Sequence, residues 1–304
     1  HIFFHSLKAQ KDFSKVIQLL HCMMSQGIPP SMQTIAILIQ TCFRCGRPDL
    51  AVQLAASATG NASKASLRAF RRIHQGEWPR QGFEVHVPNA KPSAHVFNAL
   101  LEGILDCQGF DGGRTVMDLF AYNKVIPNER TLDHLLNHLR RRSRAGPRTL
   151  IRVLYEFTGP HLRATEHHVG IIVSAIQDVE QHAIHGHGWN ALKFKRPKDA
   201  PEELRPTGTA NFDDFAGILL PTFRGYARLM RPFLDDLRAR DVKPNAATIA
   251  LRIRHEAIIN QDMSAANSVF REMLRRGISA TPYHYSILAE GYALQGDIKN
   301  VNLV

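Results

Sequence analysis

Apolar residues recur along this chain at intervals of three and four, and residues with special backbone preferences interrupt them at a regular period. Val96, Phe97, Leu100, Leu101, Ile104 and Leu105 form one such set. Their spacing places all six on a single stripe of a helix. A turn predicted at Gly109 to Gly113 follows, and a second helix carries Val116, Leu119 and Phe120. The stretch from Met32 repeats the plan, with Ile35, Leu38, Ile39 and Cys42 in a first helix and the turn Arg44-Cys45-Gly46-Arg47. Leu50, Ala51, Leu54 and Ala55 then mark a second helix. From Ala246 the same order gives Ile249, Ile253 and Ala257, then Ala265, Ala266, Val269, Phe270 and Met273. A further unit opens at Pro282 with Tyr285, Leu288 and Tyr292 on its apolar face and turns at Leu294-Gln295-Gly296-Asp297.

A five-residue signature separates the units: Gly27-Ile28-Pro29-Pro30-Ser31, Lys124-Val125-Ile126-Pro127-Asn128 and Asp241-Val242-Lys243-Pro244-Asn245. Gly277-Ile278-Ser279-Ala280-Thr281 is a looser copy. Asn128 follows Ser93 by 35 residues, and Thr281 follows Asn245 by 36. A period of this length signals a solenoid of helical hairpins, in which each repeat packs on its neighbours. The expected fold is therefore all-α, with repeats over 1–58, 94–182 and 211–304 and a degenerate helix pair around Thr165 to His182. Segments 59–93 and 183–210 break the pattern, are rich in Gly, Pro, Lys and Arg, and read as irregular insertions. Beginning at His1 and stopping inside a predicted helix at Val304, the chain reads as a piece of a longer protein. No apolar run reaches the length that spans a bilayer.

Charge changes the picture next. The formal net charge is +11 with a pI of about 9.8, which implies a polyanionic partner. Arg140, Arg141, Arg142 and Arg144 fall within five residues, with Arg148 and Arg152 just beyond, and we assign Arg140, Arg141, Arg142, Arg144 and Arg148 to phosphate contacts. Arg71, Arg72 and Arg80 in the first insertion, and Lys193, Lys195, Arg196 and Lys198 in the second, add to the set. The bland alternative is a solvated basic face. Four crowded arginines repel one another unless a phosphate backbone or an acidic partner neutralises them.

Four cysteines make no disulfide framework, so a reducing compartment is expected. Cys42 and Cys45 form a C-x-x-C without a second pair at zinc-ribbon spacing, so no metal is expected there. His167-His168 and His185-Gly186-His187-Gly188 lack thiolate or carboxylate company and read as solvated loop histidines. No phosphate loop, nucleophile elbow or metal-ligand motif is present, so neither catalysis nor a cofactor is expected. Of the paired acids, Asp213-Asp214 reads as a helix start and Asp235-Asp236 as a solvated face.

Several stretches resemble the pentatricopeptide repeat family: His95-Val96-Phe97-Asn98-Ala99-Leu100-Leu101, Tyr283-His284-Tyr285-Ser286-Ile287-Leu288, and Ser268-Val269-Phe270-Arg271-Glu272-Met273 ahead of Gly277. The Trp-Leu-Gly-Tyr pattern of the related tetratricopeptide repeats is absent. The resemblance implies an α-solenoid of stacked helix-turn-helix units in a right-handed superhelix that binds single-stranded RNA inside an organelle, here the mitochondrial matrix. It also implies base reading by the fifth and last residues of each unit. Carried onto this chain, those positions supply Asn98 with Asn128, a pyrimidine-type pair, together with Asp133, Asn245 and Ser286. Ala36 and Ala250 have no side-chain hydrogen bond to offer, and Phe215 falls at the same position in a unit ending at Asn245. The residue that wedges between bases, usually a small aliphatic, is here Gln33, His95, Arg130, Ala247 or Tyr283.

Architecture and charge are thus kept while most of the base-reading code is lost. Two readings follow. One is a mitochondrial RNA-binding factor for transcript processing, stability or translation. The other is a structural or adaptor solenoid of the mitochondrial ribosome or of a translation-activator complex, binding ribosomal RNA or protein partners.

Overall fold

A computed structural model describes residues 31–59, 63–74, 93–159, 161–185 and 224–304, with 18, 22, 23, 25–28, 30 and 76 besides. Arg80, Lys193, Lys195, Arg196, Lys198, Asp213, Asp214, Phe215 and the Gly186-His187-Gly188 run lie outside the described residues, as does most of the first repeat. Every regular element among the described residues is helical, and the helices pair as hairpins. The chain divides into two compact units, His1–His138 and Leu139–Val304.

In the first unit α1 (Met32–Arg44) and α2 (Pro48–Ser57) form one hairpin, α3 (Lys64–Ile73) packs beside α2, and α4 spans Ala94–Tyr122. α4 is two helices joined at Gly109, whose φ of +69° and ψ of −154° reverse the chain. Phe97 and Phe120 thereby come together, ring centroids 5.2 Å apart. Gly113 allows this close return, because a Cβ there would stand 2.5 Å from a Leu105 methyl. Gly103 admits the Phe43 ring of α1 in the same way, with a Cβ position only 2.0 Å from that ring. All the apolar stripes predicted for α1, α2 and both halves of α4 are buried. One expectation needs correction: 59–93 is not wholly irregular. Ser63 accepts a hydrogen bond from the Ser66 N–H and starts α3, whose Phe70 and Ile73 are buried. Its five polar residues in ten masked the period.

α5 (Glu129–Arg141) runs across the boundary between the units. The second unit holds α6 (Pro147–Phe157), α7 (Glu166–His185), α8 (Arg224–Ala239), α9 (Ala246–Arg254), α10 (Met263–Arg275), α11 (Pro282–Leu294) and α12 (Ile298–Val301). First helices of hairpins pack on first helices, α7 on α9 and α9 on α11, while α8 packs on α6. Ile249, Ile253, Ala257, Met263, Ala266, Met273, Ile287 and Leu288 form a shared core. α9 ends in a π-helical turn, His255–Ile259. It buries the Arg252–Glu256 ion pair at 2.8 Å, which sequence period alone did not reveal. Gly291 packs on this turn, where a Cβ would stand 2.5 Å from Met263 Sδ and 2.9 Å from Ala257 Cβ. Tyr285, expected in the core, is 42 % exposed and meets Phe270 edge-on.

The five-residue signature has a single geometry. Its first residue, Gly27, Lys124, Asp241 or Gly277, takes a φ between +52° and +75°. The next N–H, from Ile28, Val125, Val242 or Ile278, bonds back to a carbonyl five residues earlier at 2.9 to 3.1 Å. This left-handed cap satisfies the carbonyls that a helix end leaves open. The last residue then caps the next helix, with Ser31 accepting from the Thr34 N–H and Asn245 from the N–H groups of Ala247 and Thr248. Stop and start are thus compressed into five residues, which fixes where each hairpin begins.

Candidate nucleic-acid interface

The proposed base-reading positions all fall at the starts of first helices, the last residue of a unit as the cap and the fifth residue one turn inside. Asn98 and Asn128 are brought together: Asn98 Nδ2 donates to Asn128 Oδ1 at 2.8 Å. Asn98 Oδ1 accepts from the Thr131 hydroxyl at 2.7 Å, and the Asn128 N–H donates to Thr131 Oγ1 at 3.0 Å. Asn98 is only 4 % exposed, so both ends of its amide are consumed by the junction between α4 and α5. Asn128 Oδ1 also accepts from the Thr131 N–H at 3.3 Å. Its Nδ2 makes no hydrogen bond to a described residue.

The other positions are scattered in role. Asn245 caps α9 and donates its amide to the Glu166 carboxylate. Burial pushes the Glu166 carboxyl above its ordinary range, which the Asn245 bond and nearby His167 partly offset. Asp133 is half-buried, with its main-chain carbonyl bonded by the Asn137 amide, and Ser286 is exposed. At the wedge positions Gln33, His95, Arg130, Ala247 and Tyr283 are all exposed.

The arginines assigned to phosphate separate into three places. Arg140 turns toward α7, donating to the Ile171 carbonyl at 2.9 Å, to Ser174 Oγ at 2.5 Å and to Asp178 at 3.2 Å. From the other side Arg254 of α9 donates to the same Asp178 carboxylate at 2.9 Å and to Gln181. Asp178 thus bridges guanidinium groups from two helices, and Arg140 serves this clamp rather than standing open to phosphate. Arg141, Arg142 and Arg144 are exposed where α5 ends and turns, with Arg144 at a φ of +47°. Arg148 is exposed near the start of α6, the second helix of its hairpin.

One histidine departs from expectation, and a second shares its geometry. His168 is buried rather than solvated: the Thr165 N–H donates to its Nδ1 at 3.0 Å, and its own N–H reaches Thr165 Oγ1 at 3.3 Å. His284 repeats this reciprocal cap with Thr281, and its Nε2 lies 2.9 Å from the Ala246 carbonyl, tying the start of α11 to that of α9. The signal was present as Thr-x-x-His, the spacing of a capping box with imidazole in the acidic residue's place. Cys42 is buried, and its thiol is pushed up to about 12 by that burial and then by Cys45 and Asp49. A thiol this weak an acid is a poor nucleophile and a poor metal ligand at neutral pH. Among the described residues no group of three or more His, Cys, Asp and Glu is placed to hold a metal ion, and no helix is long and apolar enough to cross a membrane.

No protein-family model matches the sequence, and no curated protein matches it either. Among solved structures, the chain is similar to the pentatricopeptide repeat protein PPR10 in complex with an 18-nt psaJ RNA element. The identity is 13 % and the TM-score 0.34, covering 99 % of this chain and 52 % of that one. PPR10 from maize gives 13 % identity and a TM-score of 0.29 over 98 % of this chain and 51 % of that one. The chain thus spans about half the length of these structures.

Proposed function

We propose that this chain is a pentatricopeptide-type helical-repeat protein of the mitochondrial matrix that binds RNA mainly through its phosphates, acting in processing, stability or translation of organellar transcripts. The observation that carries this is the end of α5 and the turn after it, where Arg141, Arg142 and Arg144 are exposed in a chain of net charge +11. Asn98 and Asn128, the residues that would read a base, are meanwhile bonded to each other and to Thr131. Phosphate contacts position a nucleic acid without reading its sequence. The family assignment rests on the sequence resemblance and on hairpins joined by the five-residue signature.

Labelled 30-nucleotide single strands of several sequences, titrated at 50 and 200 mM KCl, test this. Three phosphate contacts predict a logarithmic salt slope near −2, a loss of about 20-fold across that range. Affinity is expected to vary little with sequence, and changing Arg141, Arg142 and Arg144 together to Ala is expected to remove most of the slope. Affinity indifferent to salt refutes the reading.

The occupied amides favour a second reading as well, an adaptor subunit of the mitochondrial ribosome or of a translation-activator complex. A scaffold docked on one fixed RNA needs no base code. Crosslinking the native protein and sequencing the attached RNA separates the two, by ribosomal RNA in one case and a messenger in the other.

A further inference from the structure

The two helix layers of the second unit carry opposite charge. The first helices that lie wholly in this unit, α7, α9 with its π turn, and α11, hold two arginines against five carboxylates, a net charge of −3, while the end of α5 adds Arg140 and Arg141. The second helices α6, α8, α10 and α12 hold nine Lys and Arg against four carboxylates, a net charge of +5. A polyanion approaching this unit is repelled by α7, α9 and α11 and attracted by the second layer and by the arginines at the end of α5.

The second layer also has a defined centre. Arg148 and Arg152, four residues apart, share one exposed stripe of α6, and Arg228 and Arg231 are exposed on α8. None of the four makes an ion pair with a described residue. Tyr155 joins the two helices, its ring 4.6 Å from that of Phe233 and its hydroxyl donating to the Leu229 carbonyl at 2.8 Å. The arginines are therefore mounted on two fixed, adjoining rods. Their guanidinium forks suit phosphate oxygens. Neither α6 nor α8 carries an amide side chain to read a base edge, and the Tyr155 hydroxyl is already bonded.

We infer that the α6–α8 face docks a base-paired RNA helix, gripped by its phosphates. Such a helix turns its bases inward and its backbone outward, and is recognised by shape and phosphate rather than by sequence. This rests on RNA being the partner, as proposed above, and adds a second surface.

The test uses the full chain with a 16-base-pair RNA duplex and the corresponding 16-nucleotide single strand. Arg148, Arg152, Arg228 and Arg231 are changed together to Gln, which removes charge from exposed positions and adds none. Duplex affinity at 100 mM KCl is expected to fall by at least about 100-fold, and the salt slope by about 3 to 4, since each phosphate contact contributes roughly 0.9. Single-strand affinity is expected to fall by only about 5-fold, the loss of the one Arg148 contact at roughly 0.7 per phosphate, since Arg141, Arg142 and Arg144 remain. Circular dichroism confirms that the variant is folded; should it melt early, the Arg228→Gln/Arg231→Gln pair replaces it, with half the expected slope change. Unchanged duplex affinity in a folded variant overturns the inference, as does wild-type binding to polyglutamate without binding to duplex. Binding of the single strand but not the duplex also overturns it while leaving the proposed function standing. Binding of neither RNA defeats both.

Discussion

Changing Asn98 to Ala separates a structural role for this residue from a base-reading one. The substitution removes the donation to Asn128 at 2.8 Å and the acceptance from the Thr131 hydroxyl at 2.7 Å. Each intramolecular hydrogen bond is worth about 0.5–1.5 kcal/mol net, so the pair contributes about 1–3 kcal/mol. Thr131 retains a longer contact to Asn128 Oδ1 at 3.3 Å, which places the expected loss near the middle, about 2 kcal/mol. At roughly 2–4 °C per kcal/mol, the melting temperature should fall by about 4–8 °C. Thermal melts followed by circular dichroism measure this, and RNA titration well below the transition measures binding. The expected result is a lower Tm with affinity unchanged. A double-mutant cycle with Asn128→Ala should return a coupling energy of about 0.5–3 kcal/mol, since the two side chains are in contact. An unchanged Tm with lost affinity refutes the reasoning: Asn98 would then be held open for a base, and the junction would owe nothing to it.

Three further outcomes are expected. Gly291→Ala drives a methyl to within 2.5 Å of Met263 Sδ and 3.3 Å of the Ala257 carbonyl; overpacking of this kind costs about 1–3 kcal/mol, and chemical denaturation should show it, whereas an unaltered midpoint would mean the π turn gives way freely. Lys124→Gly and Asp241→Gly replace residues held at φ of +55° and +52°; each should raise stability by about 0.5–1 kcal/mol, because glycine adopts this conformation without the Cβ penalty, and a decrease would show that the side chain matters more than the strain. Glu256 supplies a pH dependence. Burial alone would raise its pKa, but hydrogen bonds from His255 and Asn260 and the Arg252 charge outweigh that and hold it below the ordinary 4.5. A depressed folded pKa stabilises the fold above 4.5, and that stability is lost as pH falls through the folded value. Melts between pH 6 and pH 3 should show the loss, and Glu256→Gln should flatten it; an equally steep decline in the variant would assign it to other carboxylates.

The hairpin fold was legible because two independent signals agreed. Stripes such as Val96 to Leu105 fixed which face of each helix is buried, and the Pro-Asn and Pro-Ser junctions marked the ends. Both are local, depending on residues within one turn of each other. The same locality explains why Asn128 and Asn245 could be placed as junction residues from sequence. α3 escaped because its period is short and its composition basic, and its place beside α2 and α4 comes from tertiary packing of Phe70 and Ile73. Tyr285 misled because helical spacing says only that it shares a stripe with Leu288, not that a neighbour covers both.

By itself, then, the sequence determined the class of fold, the length of the repeat, the helix starts and stops, and the excess of positive charge. Each of these is set by neighbours along the chain or by simple addition. Only the tertiary structure decided what the polar side chains do, because that depends on partners far apart in sequence. It buried Asn98 against Asn128, spent Arg140 on Asp178 with Arg254 opposing it, made His168 and His284 helix caps, and divided the charge of the second unit between two layers. A count of arginines measures the attraction for phosphate. Where that attraction is available is settled by which guanidinium groups the packing leaves without a carboxylate.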